Sequence, residues 1–131
     1  MDAIVDLVLA RFFSPAFRES GDPVVARFET FLRDAPVDGY AGSCDALAAG
    51  DLRELARQVE ARSLVIVGTH DEATPPADAR ALHALLPDAE LVELPGAGHL
   101  ANLEQPVRFE ALVSEFLTHE SPRDDQEVAH A

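Results

Sequence analysis

Through residues 1–60 the apolar side chains recur three and four positions apart, the spacing that collects on one face of a helix. Ile4, Val8 and Phe12 make one stripe, widened by Leu7, and predict a helix over 2–13 that Ser14-Pro15 ends. Asp22 reads as an N-cap, Pro23 suits the first helical position, and Val24, Val25, Phe28, Phe31 and Leu32 form the stripe of a second helix, stopped by Pro36. Asp38-Gly39 reads as a turn. Residues 43–49 predict a short helix ending at Gly50. Asp51, with Glu54 three positions on, resembles a capping box opening another to about Gln58.

The texture changes near residue 63. The run SLVIV (63–67) is continuous, apolar and β-branched, the pattern of a strand buried on both faces in a parallel sheet. GTHDEATPP (68–76) is a loop. A helix follows over 77–86, with Ala79, Leu82, Leu85 and Leu86 inward, and ELVEL (90–94) is a second strand. PGAGHLANLEQ is a loop, and 106–119 is an amphipathic helix carried by Val107, Leu112, Val113, Phe116 and Leu117. Strand–helix–strand–helix is the signature of a parallel α/β sheet. The expected organisation is a helical cap or lid segment over 1–60, an α/β core over 61–119, and a disordered acidic tail over 120–131.

With 131 residues the chain suffices for one modest core. No apolar run is long enough to cross a membrane. The apolar N-terminal stretch carries Asp2 and Asp6 instead of basic residues, unlike a signal peptide. Cys44 is the single cysteine, expected to be a small buried thiol, and it fits a reducing cytoplasm. A net charge of −14 argues against nucleic acid or anionic membrane as partner and reads as a solvated acidic surface. The histidines show no metal-ligand spacing.

Functional groups of open α/β sheets collect just past the carboxyl ends of the strands. Asp71 and His99 lie there, one after each predicted strand. If the strands are parallel neighbours, both loops open on the same edge. The carboxylate then fixes the imidazole tautomer and leaves the other ring nitrogen as a base. Taken singly, His99 reads as a surface histidine and Asp71 as a turn residue or cap; their joint placement favours chemistry. His70 reads as a solvent-facing neighbour.

These residues carry a resemblance. Gly68, Asp71 and Pro75, then Gly96, Gly98, His99, Glu104 and Pro106, resemble the acid loop G-x-x-D-x-x-x-P and the histidine loop G-x-G-H-x-x-x-x-E-x-P of the α/β-hydrolase family. Upstream, ARFFSPAFR (10–18), GYAGSCDAL (39–47), DLRELARQV (51–59) and DEATPPADA (71–79) resemble the 3-oxoadipate enol-lactonase branch, which acts in aromatic degradation. One departure is Phe12, where that branch often has Trp. The resemblance implies an α/β fold corresponding to the C-terminal part of a hydrolase: cap segment, last two parallel strands and their helices, with an incomplete sheet. It implies hydrolysis of a small ester or lactone with Asp71 as acid and His99 as base, and no cofactor. Arg11 or Arg18 would pair with a substrate carboxylate; the competing reading of both is a solvated helix face.

A hydrolase of this kind needs a nucleophile on a G-x-S-x-G elbow ahead of the acid and the histidine. Ser14, Ser20, Ser43, Ser63, Ser114 and Ser121 all lack that setting. The chain is therefore expected to be inactive alone, with the missing N-terminal half of a hydrolase as possible partner. Competing readings are a truncated, non-catalytic protein, an interaction module whose sheet edge pairs with a partner, or another α/β hydrolase such as an esterase or a haloperoxidase-like enzyme.

Overall fold

The computed structural model describes residues 1–119, so the tail expected over 120–131 lies outside the described residues. The order is α1 (Asp2–Phe12), α2 (Pro15–Glu19), α3 (Pro23–Asp34), α4 (Val37–Ala49), α5 (Arg53–Ala56), β1 (Ser63–Gly68), α6 (Pro76–Leu85), β2 (Ala89–Leu94), α7 (Ala101–Glu104) and α8 (Pro106–Thr118).

The strands pair in parallel and in register, from Ser63 opposite Ala89 to Gly68 opposite Leu94. Side chains alternate between the faces of a strand. On one face Ile66 and Leu94 pack with Phe109 and Leu112 of α8. On the other, Arg80 of α6 forms a two-point ion pair with Glu93 at 2.8 and 3.1 Å. Arg62, just ahead of β1, fastens the far end of α8. Its guanidinium donates to the carbonyls of Phe116 (2.8 Å) and His119 (2.6 Å), pairs with Glu90 at 2.7 Å, and lies 4.1 Å over the Phe116 ring.

A second cluster is built by the helices ahead of the sheet. Val5, Val8, Leu9 and Phe13 from α1 and its end bury with Leu32 of α3. Arg33 joins the two helices by an ion pair to Asp2, while also holding Glu29 one turn back. Leu100, one residue past His99, packs against this cluster, so the helical segment touches the histidine loop directly.

Element boundaries agree with the hydrophobic pattern to within a residue or two for α1, α3, β1, α6, β2 and α8. Asp22 caps α3 as expected, accepting from the Val24 amide at 2.8 Å. Four local readings are corrected. Asp38-Gly39 lies inside α4, which starts straight after Pro36, because the proline's fixed φ suits a helix start and outweighs a turn signal. The helix expected over 51–58 shrinks to Arg53–Ala56, because Asp51 turns to the amide and guanidinium of Arg53 instead of meeting Glu54. Leu7 and Val107, placed on apolar stripes, are 59% and 79% exposed, since the buried side of α1 centres on Val5, Val8 and Leu9. Leu82, Phe31 and Leu117 are exposed as well, and so is Cys44 on α4, which corrects the expected buried thiol.

The strand expected to be buried on both faces is mostly half-buried: only Val67 and Gly68 of β1 are fully covered. Among the described residues the sheet has two strands, so each has one bonded neighbour and a bare outer edge.

Candidate active site

Both strands end at the same level, and their loops are stitched together at once. The Thr69 amide donates to the Leu94 carbonyl and the His70 amide to the Ala97 carbonyl, each at 2.9 Å. The Gly96 amide donates to Thr69 Oγ1 at 2.8 Å. The approach is so close that a Cβ on Gly68 would lie 2.2 Å from the Ala97 oxygen and 2.3 Å from the Gly98 oxygen. Gly96 turns the chain at φ +79°, the left-handed region where glycine carries no steric penalty.

Within this double loop Asp71 and His99 meet. His99 Nδ1 and Asp71 Oδ2 are 2.8 Å apart. The Asp71 side chain is 4% exposed and that of His99 30%. An ionised carboxylate only accepts, so Nδ1 carries the proton in this contact and Nε2 remains the basic nitrogen. Among the described residues Nε2 has no hydrogen-bond partner.

Asp71 is held from every side. Its Oδ1 accepts from the amides of Ala73 and Thr74, each at 2.8 Å, and Oδ2 accepts from the Thr74 hydroxyl at 3.0 Å. The same hydroxyl oxygen lies 3.2 Å from His99 Nδ1, so Thr74 sits at the junction of carboxylate and imidazole. Carboxylate, hydroxyl and imidazole form a network in which each buried polar group has a partner, the condition under which such networks are rigid. Phe12 provides one wall for the imidazole, its ring 4.8 Å away. Phe28 backs Phe12 at 5.9 Å.

Arg11 reaches this region from α1. Its Nε and Nη2 donate to the carbonyl of Glu72, beside the acid, at 3.4 and 3.3 Å. Arg18 on α2 is exposed and forms no ion pair with a described residue. His70 is exposed next to the pair, as expected. The structure thus brings Asp71 and His99 into contact, places Arg11 against the acid loop, and leaves Arg18 pointing at solvent.

Two participants escape a search for catalytic residue types. Thr74 is a loop residue by composition; its position three after Asp71, where a side-chain oxygen meets the backbone of the same turn, is the available signal. Ser14 is readable as the residue before Pro15, yet its second role, bonding to Glu104, links positions too distant in sequence for spacing to show.

The model of the alpha/beta hydrolase family matches residues 2–112. The chain belongs to that family. Two 3-oxoadipate enol-lactonases of Acinetobacter baylyi are similar to it: one is 32% identical over 119 residues, which are 88% of this chain and 44% of the relative. The other is 33% identical, over 86% of this chain and 43% of its own length. Among solved structures, the enol-lactonase of Burkholderia xenovorans superposes with a TM-score of 0.86 at 38% identity, covering 91% of this chain and 45% of that one. An esterase of Thermogutta terrifontis superposes at 0.80 with 27% identity, over 88% of this chain and 43% of that one. The chain therefore spans less than half the length of the relatives it matches. Its fold, a helical segment with a two-stranded parallel sheet, corresponds to the C-terminal part of an α/β hydrolase. Among the described residues no helix is long and apolar enough to cross a membrane.

Proposed function

We propose that this chain supplies the acid and the base of a nucleophile–histidine–acid triad to a hydrolase of small esters or lactones. The observation that carries the reading is the 2.8 Å contact between His99 Nδ1 and a buried, four-times hydrogen-bonded Asp71 at the carboxyl edge of a parallel sheet. In the proposed cycle His99 Nε2 takes the proton of a serine hydroxyl as its oxygen attacks the carbonyl carbon. The imidazolium, stabilised by Asp71, returns that proton to the departing oxygen. Nε2 then takes a proton from the water that attacks the acyl carbon and passes it to the serine oxygen as that C–O bond breaks, releasing the carboxylic acid. Neither a metal nor a cofactor enters this scheme.

The serine is proposed to come from a polypeptide segment outside this sequence, since none of its own serines lies in a G-x-S-x-G setting. Residues 1–60 are proposed as the cap over the site, with Phe12 as its inner wall. Similarity to enol-lactonases favours an enol-lactone carrying a carboxylate as substrate, with 3-oxoadipate enol-lactone the first to try and Arg11 or Arg18 as carboxylate partners. A cytoplasmic setting is proposed as well, on the single cysteine, Cys44, which fits a reducing compartment.

The test is complementation. The chain is mixed with a separately expressed segment carrying the G-x-S-x-G elbow of an enol-lactonase, and lactone opening is followed by absorbance. Turnover in the mixture, absent from either piece and from a mixture containing D71N, supports the proposal. Equal turnover with H99A in the mixture sinks it.

A further inference from the structure

The backbone on either side of His99 is held as well as the Asp71 carboxylate is. The Gly98 amide donates to Glu104 Oε1 at 3.1 Å, and the Leu100 amide donates to the Phe12 carbonyl at 3.0 Å. Both residues flanking the imidazole are thus held by groups outside their own loop turn. Glu104 does more. Its Oε1 also accepts from the Ser14 amide at 2.8 Å, and its Oε2 from the Ser14 hydroxyl at 2.6 Å. That hydroxyl in turn accepts from the Phe17 amide at 3.3 Å and caps α2. Ser14 is buried, and Gly98 runs so close beneath it that a Cβ there would lie 2.6 Å from the Ser14 nitrogen and 2.7 Å from Glu104 Oε1.

A carboxylate accepting three hydrogen bonds, two from backbone amides on different segments, fixes the relative position of those segments more tightly than apolar packing does, because each bond has direction. The segments joined here are the end of α1, which carries Phe12, and the turn that carries His99. We propose that Glu104 is a positioning residue: it clamps the Phe12–Ser14 segment to Gly98 and so sets the orientation of the His99 ring against Asp71 and Phe12. The clamp acts through the backbone and does not touch the reacting atoms. It rests on reading His99 as the working base, but its consequence is geometric and is read on the ring itself.

The experiment follows carbethoxylation of the histidines in the full 131-residue chain with diethyl pyrocarbonate, resolved by peptide mass spectrometry. His83 is the internal standard for general folding, because its Nε2 is engaged with the Ala89 carbonyl at 3.0 Å, remote from the clamp. In the unsubstituted chain His99 reacts at its own rate, distinct from exposed His70. In E104A the His99 rate moves toward that of His70 by about fivefold, the scale of one net hydrogen bond, while His83 stays unchanged. E104Q restores the original rate, since its amide oxygen still accepts from the Ser14 and Gly98 amides. S14A, which keeps its backbone donor, falls between the two. An unmoved His99 in E104A overturns the proposal, as does E104Q behaving like E104A. So does His83 rising in step with His99, which would mark Glu104 as merely structural, or His99 and His83 both reacting like His70 in the unsubstituted chain. Lactone turnover is not read here, so failure of the hydrolase reading and failure of the clamp are told apart.

Discussion

The Phe12 ring lies 4.8 Å from the His99 imidazole, centroid to centroid, tilted by 52°. A wall at that distance limits how far the base can swing from its partner. Phe12→Ala is expected to lower kcat of the complemented enzyme on the order of tenfold, since small misplacements of a catalytic group are costly. Phe12→Trp, which keeps an aromatic face, is expected to stay within about threefold on the same argument. Steady-state kinetics on one lactone decides between them; equal loss in both variants would mean that size, not the aromatic wall, governs the position.

Asp71→Asn preserves shape but can present its amide to His99 and favour the wrong tautomer. The complemented enzyme is expected to lose about 10⁴ in kcat, against about 10⁶ when the nucleophile itself is removed. Thr74→Val, which deletes one donor to Asp71 and the oxygen beside Nδ1, is expected to cost on the order of tenfold, one hydrogen bond to a charged group. A stopped assay reaching low turnover measures both.

Arg18 faces solvent, whereas Arg11 also holds the Glu72 carbonyl. Arg18→Ala is expected to raise KM about tenfold for a lactone bearing a carboxylate, the scale of one charge-assisted bond, and to leave a neutral ester unaffected. Arg11→Ala is expected to change both substrates, because it also loosens the acid loop. Identical KM values for Arg18→Ala and the parent on the charged lactone would return that residue to an ordinary solvated helix face.

Arg62 links the start of β1 to β2 and to the last turn of α8. Arg62→Ala removes bonds to two carbonyls, an ion pair and a ring contact, and is expected to destabilise by about 2–3 kcal/mol. Urea denaturation followed by circular dichroism reads this, with Arg57→Ala on an exposed helical pair as a control expected to stay within about 0.5 kcal/mol.

Among the described residues the outer edges of β1 and β2 have no strand beside them, and Phe31, Leu47, Leu52 and Leu117 are exposed. The chain alone is expected to bind an apolar dye at these exposed surfaces and to associate as concentration rises. Its charge of −14 opposes that association at neutral pH, so added salt should promote it. A concentration-independent melt without dye binding would contradict this.

Much of the site was legible because it obeys local rules. The position of Asp71 and His99 past two strand ends followed from SLVIV and ELVEL, and the glycines announced tight turns. What sequence could not show depends on which side of a helix is covered. Leu7, Phe31 and Val107 sit on convincing stripes yet face outward, because periodicity reports a face but not whether a neighbour exists to bury it. Glu104 was visible as part of a motif, while its partner Ser14, 90 positions away, was visible only as a residue before proline. α7 is a single turn, too short to leave a period.

Asp71 and His99 are separated by 28 positions and joined across one strand–helix–strand unit. The groups that hold the imidazole are thus nearly contiguous in the polypeptide, with α1 and its end adding the Phe12 wall, the Arg11 bonds to the Glu72 carbonyl and the Ser14 latch. Substitutions that disturb the Asp71–His99 pairing are therefore expected to cluster within residues 63–104 and at the few contacts that reach it from α1 and its end.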